Sequence, residues 1–377
     1  MPRLTFYPLG NADTCLIDLA NGKKVLFDFA DMRGCDDEDD KRIDLSATLR
    51  KDLKDSRRSG YEVFAVTHLD NDHTCKADEF FYLDHAKIYQ EGDRAKIGTL
   101  WVPAGVITES RNDLEAGAKA LQAEARHRLI ENYGIRVFSR PQALKDWLEK
   151  RGIKLKDRQH LITDAGNVAP ELSLGSDGVE FFIHSPFGWR QDENTVIDRN
   201  GNSLVVQVTF VVDQVATCAI LGSDVDHEAL SQIVQTSRRH KRDFRLIWDI
   251  FKLPHHCSYK SLAPDRGRDE TKPVKDVAWL FEEQMQRGGI IVSPSKPIPV
   301  KGSEDDKCDQ PPHRQAANYY RRIVRDKDGE FIVTMEHPRE SAPKPLVIDV
   351  DRFKARVKRE QSVGAAALTA VSAPRAG

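Results

Sequence analysis

Cysteine is scarce in this chain and never paired. The six residues (Cys15, Cys35, Cys75, Cys218, Cys257 and Cys308) show no C-x-x-C spacing. That excludes a thiolate zinc ribbon and a disulfide framework, and reads as reduced thiols in a cytoplasmic protein. Net charge is lacking too: the formal value is −2 and the sequence pI about 6.6. Without a global positive field, any contact with a polyanion must come from local patches. No apolar run reaches the roughly 20 residues of a membrane span. The longest, Leu204 to Leu221, is broken by Gln207, Asp213 and Gln214 and reads as two strands joined by a turn. The chain opens on a strand-like run, Leu4 to Tyr7, with no leader-type pattern, so the expectation is a soluble protein with no membrane partner. The usual serine or cysteine nucleophile motifs are also missing.

What is there is a globular body with many charges, 40% hydrophobic and 31% charged, and at 377 residues long enough to bury a core without staples. Short strands are expected at Leu4–Pro8, Thr14–Leu19 and Lys24–Phe29, with Asn21-Gly22 as a hairpin turn. Tyr61–Thr67 (YEVFAVT) lacks polar alternation, as a strand buried on both faces does. A helix is predicted over Asn112–Asn132 and another over Gln142–Lys150. Strands return at Val179–His184, Ser203–Val212, Ala216–Leu221 and Phe244–Leu253, with a helix over Asp226–Ser237 between the last two. Strand–helix alternation continues through helix Ala278–Gln286 to Val347–Val350. No internal repeat is present. The pattern predicts an α/β sandwich occupying residues 1–350, with a largely helical insertion at about 104–178. A basic tail, then rich in Ala and Ser, is expected over 351–377.

Three segments carry chemistry. Thr67-His68-Leu69-Asp70-Asn71-Asp72-His73 places four metal-ligand types within six residues, directly after a buried strand. A turn on such a base can aim several side chains at one point, which coordination requires. Ile220-Leu221-Gly222-Ser223-Asp224 is an apolar strand that ends in a small-residue turn and an acid. Lys252-Leu253-Pro254-His255-His256-Cys257-Ser258 is a strand that ends in two histidines. Each puts ligand chemistry just past a strand's C-terminal end, where open α/β architectures place their sites.

These segments resemble the metallo-β-lactamase superfamily, whose signature is H-x-[HD]-x-D-H, then a Gly-Asp turn, then a late His. Among its branches they are similar to the hydrolase domain of ComEC-type competence proteins, with H-x-D-x-D-H and a late P-H-H-x-S. Gly10-Asn11-Ala12-Asp13 with Val25–Asp28, Ile183–Pro186 with Asn202–Val205, and Ile291–Ser293 with Pro312-His313 extend the likeness over residues 4–350. The resemblance implies the αββα sandwich fold and a two-metal hydrolase. His68 and Asp70 would hold one ion, Asp72, His73 and His255 the other, and Asp224 would bridge them. Asp13 and Asp28 would support the site from behind. His184 stands where some relatives have a further histidine ligand, or is a structural hydrogen-bonder. The sequence departs from the pattern at Ala12, at Cys257, at Thr74-Cys75-Lys76, and at Ser223, which lengthens the turn.

Two divalent ions would supply a bridging hydroxide at neutral pH, with Asp72 in the catalytic set. The carboxylate of Asp70, where histidine is usual, makes the site more oxygen-rich and points to Mn²⁺, with Zn²⁺ as the alternative. His256 is read as a proton donor to the leaving oxygen, or as a structural residue. The leading reaction is phosphodiester hydrolysis, with nucleic acid as the substrate partner. Ser258, Lys260, Arg238, Arg239, Lys241 and Arg242 are candidates for phosphate contacts. For the basic cluster the alternative is cations at a helix C-terminus, favoured by its dipole. Two other functions stay open. One is a small-molecule hydrolase for a cyclic nucleotide, lactone or thioester, with the 104–178 insertion as a lid. The other is a non-catalytic metal-binding scaffold.

Overall fold

The computed structural model describes residues 1–34, 37, 39–193 and 198–359. The first half of the chain forms β1 (Arg3–Phe6), β2 (Cys15–Asp18), β3 (Lys24–Phe27), β4 (Gly60–Ala65), β5 (Lys96–Pro103), β6 (Ile135–Phe138) and β7 (Ile162–Thr163). The second half forms β8 (Val179–Ser185), β9 (Val205–Val212), β10 (Val215–Leu221), β11 (Trp248–Lys252), β12 (Met285–Ser293) and β13 (Glu330–Val333). It closes with β14 (Leu346–Asp351) and β15 (Lys354–Val357). They assemble into a nine-stranded sheet, β15-β14-β1-β2-β3-β4-β5-β6-β7, and a six-stranded sheet, β13-β12-β11-β10-β9-β8.

Period-two alternation explains how the sheets pack. Val25 and Phe27 on β3, and Val63 and Ala65 on β4, point inward with Phe181, Val208, Ile250 and Val292 of the other sheet. Leu26 and Phe64 point outward under Leu49, Leu121 and Leu129, residues of helices Leu45–Asp55 and Ala116–Glu131. On the far side, Ile220, Phe251 and Ile291 pack under helices His227–Arg239 and Arg314–Asp326. Three apolar seams between four layers make the αββα sandwich expected from the sequence. Strands buried on both faces read as unbroken apolar runs for this reason.

Two boundaries differ from expectation. Residues 104–178, expected as a largely helical insertion, also carry the strands β6 and β7. β6 and β7 extend the large sheet in parallel beyond β5, and helix Ala116–Glu131 covers its outer face. Ile135–Phe138 is too short for its apolar pattern to separate from the helices around it. The expected tail also starts too early: β15 pairs antiparallel with β14, and Lys354 Nζ meets Asp249 Oδ1 at 2.9 Å. Residues 360–377 of that tail, and Cys35, lie outside the described residues. Among the described residues no helix is long and apolar enough to cross a membrane, and the five cysteines are free.

Candidate metal centre

β3 and β4 run parallel in one sheet, and β10, β11 and β12 run parallel in the other. Each strand is followed within a few residues by part of the site: Asp28, His68–His73, Asp224, His255-His256 and Pro294. The sandwich thus gathers ligand-type side chains that lie more than 180 residues apart. Asp72, His73, Asp224 and His256 each offer an atom within 4.8 Å of the others. His73 Nε2 lies 3.2 Å from Asp224 Oδ1, and His256 Nε2 lies 3.1 Å from Asp72 Oδ2 and 3.6 Å from Asp224 Oδ2. His68 joins from the side, its ring centroid 4.0 Å from that of His73 and its Nε2 3.6 Å from Asp70 Oδ2.

The three imidazoles are held alike. His73 Nδ1 donates to Asp28 Oδ2 at 2.7 Å, His256 Nδ1 donates to the Pro294 carbonyl at 2.8 Å, and His68 Nδ1 meets Thr67 Oγ1 at 3.1 Å. Thr67 in turn donates its hydroxyl and its backbone N–H to Asp28, at 2.8 and 2.7 Å. Occupying every Nδ1 assigns the tautomer that leaves Nε2 free, as in histidine-ligated metal sites. Among the described residues, the buried Nε2 atoms of His68 and His73 and the Oδ1 of Asp224 find no hydrogen-bond partner. Buried polar atoms are seldom left so. Their convergence fits a cation.

The electrostatics agree. Burial would lower the pKa of His73, but Asp28 and Asp224 outweigh it and hold the imidazole well above its ordinary value. Burial likewise opposes protonation of His256, yet Asp224 and Asp72 push it up to about 9. Burial alone would raise Asp224, which His256 and His73 hold well below the carboxylate range. The carboxylates thus demand positive charge at this spot, which protons supply in the absence of metal.

Asp13 lies on the other flank of His73, with Oδ2 3.8 Å from Nε2. It forms a buried ion pair with Lys252 Nζ that ties the two sheets together. Asp70 is engaged by a residue the sequence did not suggest. Arg199 donates to Asp70 Oδ1 at 2.9 Å, to Glu109 Oε2 at 3.0 Å and to Asp113 Oδ1 at 2.7 Å. Arg199 belongs to a loop without periodicity, and Glu109 and Asp113 lie in the presumed insertion, so no pattern linked them. Beside them a cavity of about 20 Å³, room for roughly one water, touches His68, Arg199 and Asn202.

The remaining expected site residues lie elsewhere. His256 takes the place in the cluster expected for His255. A left-handed backbone at His255, His256 and Cys257 (φ 50°, 52° and 65°) turns the second imidazole, rather than the first, toward Asp72 and Asp224. His184 is buried at the end of β8, where Nε2 donates to the Arg245 carbonyl at 2.9 Å, away from the cluster. Ser258 is buried, and its hydroxyl accepts from the Lys260 N–H to cap a turn, while Lys260 is exposed. Arg238 and Arg239 close helix His227–Arg239, whose N-cap is Asp226. Its thirteen residues rise about 20 Å, so the basic cluster, Lys241 included, lies at the opposite end of that helix from Asp226. The departures at Ser223 (φ 48°) and Cys257 are positions of left-handed backbone, where glycine is the unstrained choice.

No protein-family model matches the chain, and no curated protein matches it. Among solved structures it is similar to unliganded yeast PDE1, with a TM-score of 0.43 and 10% identity, covering 88% of this chain and 97% of that one. It is also similar to a diphosphatase from the PhnP family (TM-score 0.29, 10% identity, 77% and 85% covered). A third is a B3 metallo-β-lactamase with an active-site glutamic acid (TM-score 0.26, 12% identity, 87% and 90% covered). Likeness at this level transfers neither activity nor ligands. The reading of the site rests on its own geometry.

Proposed function

We propose that the protein is a metal-dependent phosphodiesterase acting on nucleic acid. The observation that carries this reading is the convergence of the Nδ1-anchored imidazoles of His73 and His256 with the carboxylates of Asp72 and Asp224, flanked by His68 against the His73 ring. Asp72, His73 and His256 would hold one ion, His68 and Asp70 the other, with Asp224 between them. When bound, such ions supply an activated water at neutral pH and offset the charge that builds on a phosphoryl group. Asp28, Thr67 and the Pro294 carbonyl hold the imidazoles in orientation. Arg199 fixes the Asp70 carboxylate and offsets its charge, which leaves the site more attractive to an anion. His255, partly exposed beside the cluster, would give the proton to the leaving alkoxide, with burial lowering its pKa and the carboxylates of Asp224 and Asp72 opposing that.

The test is metal analysis of the purified protein, paired with turnover of bis-p-nitrophenyl phosphate against ester and lactone substrates. The expected result is bound divalent metal and chelator-sensitive phosphodiester cleavage. Failure to bind Mn²⁺ or Zn²⁺, or preference for the esters and lactones, would sink the reading.

A further inference from the structure

A second concavity, of about 370 Å³, opens on the flank of the smaller sheet, between the end of β8 and the C-terminal end of helix His227–Arg239. Its volume falls within the range of small-molecule sites. One wall is aromatic: Phe187 and Trp189 stack with centroids 5.9 Å apart and planes at 23°. Trp189 is 44% exposed. His240 and Arg242 also line it, the Arg242 guanidinium donating to the Gly166 carbonyl and lying over the Phe182 ring. Exposed Arg239 and Lys241 follow at its rim. Among the described residues no Asp or Glu lines the cavity. The Thr236 hydroxyl lines it and has no hydrogen-bond partner among the described residues. An exposed indole and an arginine, with exposed Arg239 and Lys241 adjoining in the chain and no acid in the lining, match a flat aromatic ring that carries phosphate.

The short helix Gly188–Glu193 carries Trp189 and also Arg190, whose Nη2 lies 3.6 Å from Asp198 and 4.0 Å from Asp226, two residues beyond Asp224. A chain lying along this helix would pass from the cavity toward the cluster.

We infer that this cavity takes a base of single-stranded nucleic acid, a few nucleotides from the bond that is cut, with Trp189 as the stacking platform and Arg239 and Lys241 on the backbone. The inference rests on the nuclease reading above, since it treats the strand as the substrate of the metal centre. It assigns the basic cluster to strand binding rather than to chemistry.

The test is fluorescence titration of the full-length protein with AMP and with a 12-nucleotide single-stranded DNA, in the presence of EDTA so that cleavage cannot intervene. AMP should quench tryptophan emission, and the oligonucleotide should bind more tightly and with steep salt dependence. Trp189→Ala should weaken both by about tenfold. Arg239→Glu with Lys241→Glu should weaken the oligonucleotide more than AMP and flatten its salt slope by roughly one unit per lost phosphate contact. Circular dichroism of each variant checks folding, and Trp189→Phe, which keeps a platform, should restore most of the affinity. Unaltered binding in Trp189→Ala, or no binding by the parent protein, would overturn the proposal. AMP binding without a gain for the oligonucleotide would mark a free-nucleotide site and would overturn the strand. The two readings fail separately: wild-type cleavage of bis-p-nitrophenyl phosphate without nucleotide binding refutes only the cavity. Trp189-dependent binding without phosphodiester cleavage refutes only the nuclease.

Discussion

At the scale of single residues, the pair His255-His256 separates two roles that their adjacency in sequence conceals. His256 is buried with both nitrogens committed, Nδ1 to Pro294 and Nε2 toward Asp72 and Asp224. His256→Ala should therefore remove metal as well as turnover, as should Asp72→Ala and His73→Ala. His255→Ala should keep its metal and lose turnover by about 10²-fold or more, the usual worth of a positioned proton donor. Metal content by inductively coupled plasma spectrometry, read beside kinetics, decides it. Loss of metal in His255→Ala with retention in His256→Ala would reverse the assignment. The Asp13–Lys252 pair allows a second prediction. Both side chains are buried, so Lys252→Met leaves a carboxylate uncompensated and should cost about 3–5 kcal/mol in urea unfolding. The double variant Asp13→Asn, Lys252→Met should recover much of that loss. If the single change is neutral, the pair does not hold the sheets together.

Among the elements, helix Ala116–Glu131 belongs to the sandwich and is fastened by a buried carboxylate. Glu124 accepts from His85 Nδ1 at 2.9 Å and from Arg128 Nε at 2.7 Å. Burial would raise its pKa, but these hydrogen bonds outweigh it and bring the carboxyl down to about 2, from an ordinary 4.5. A depressed folded value adds stability above the unfolded value, and that contribution is lost as pH falls from about 4.5 through 2. It amounts to about 3 kcal/mol. Denaturant unfolding from pH 6 to pH 2 should show a steeper acid loss in the parent than in Glu124→Gln, with the two converging at the acid end. Parallel curves would mean that the contact is not anchoring the helix. β15 offers a simpler test of element boundaries. Ending the chain at residue 351 bares the edge of β14 and removes the Lys354–Asp249 pair, and should lower the Tm by several degrees.

For the molecule as a whole, the candidate metal centre draws like-charged carboxylates from both sheets together, so on the proposed function cation binding and folding should be linked. Ligands from β3, β4, β10 and β11 come together only in the native state. An ion that binds only that state adds about 2.7 kcal/mol at a hundredfold excess over its Kd. Mn²⁺ or Zn²⁺ added to stripped protein should raise the urea midpoint by that order, and EDTA should reverse the change. Asp70 favours the harder ion, so the larger shift is expected with Mn²⁺, although its charge is shared with Arg199. An unchanged midpoint with either ion would contradict a metal centre that spans the sheets.

The sequence by itself determined the layered α/β architecture and named most of the residues that gather in the His/Asp cluster. Buried strands and H-x-D-x-D-H depend on local order, and period-two apolar runs specify which faces are covered. It also marked Asp28, through the resemblance of Val25–Asp28 to the family's opening segment. What tertiary structure decided was everything set by approach across distance. Which of two adjacent histidines faces the cluster depends on a left-handed backbone that sequence does not encode as a pattern. Arg199, Glu109 and Asp113 are brought to Asp70 from loops with no periodicity, and Lys252 meets Asp13 only when the sheets close. The basic cluster read from sequence as part of the site is carried a helix length away from Asp226, because 1.5 Å per residue moves charge along an axis that composition does not reveal.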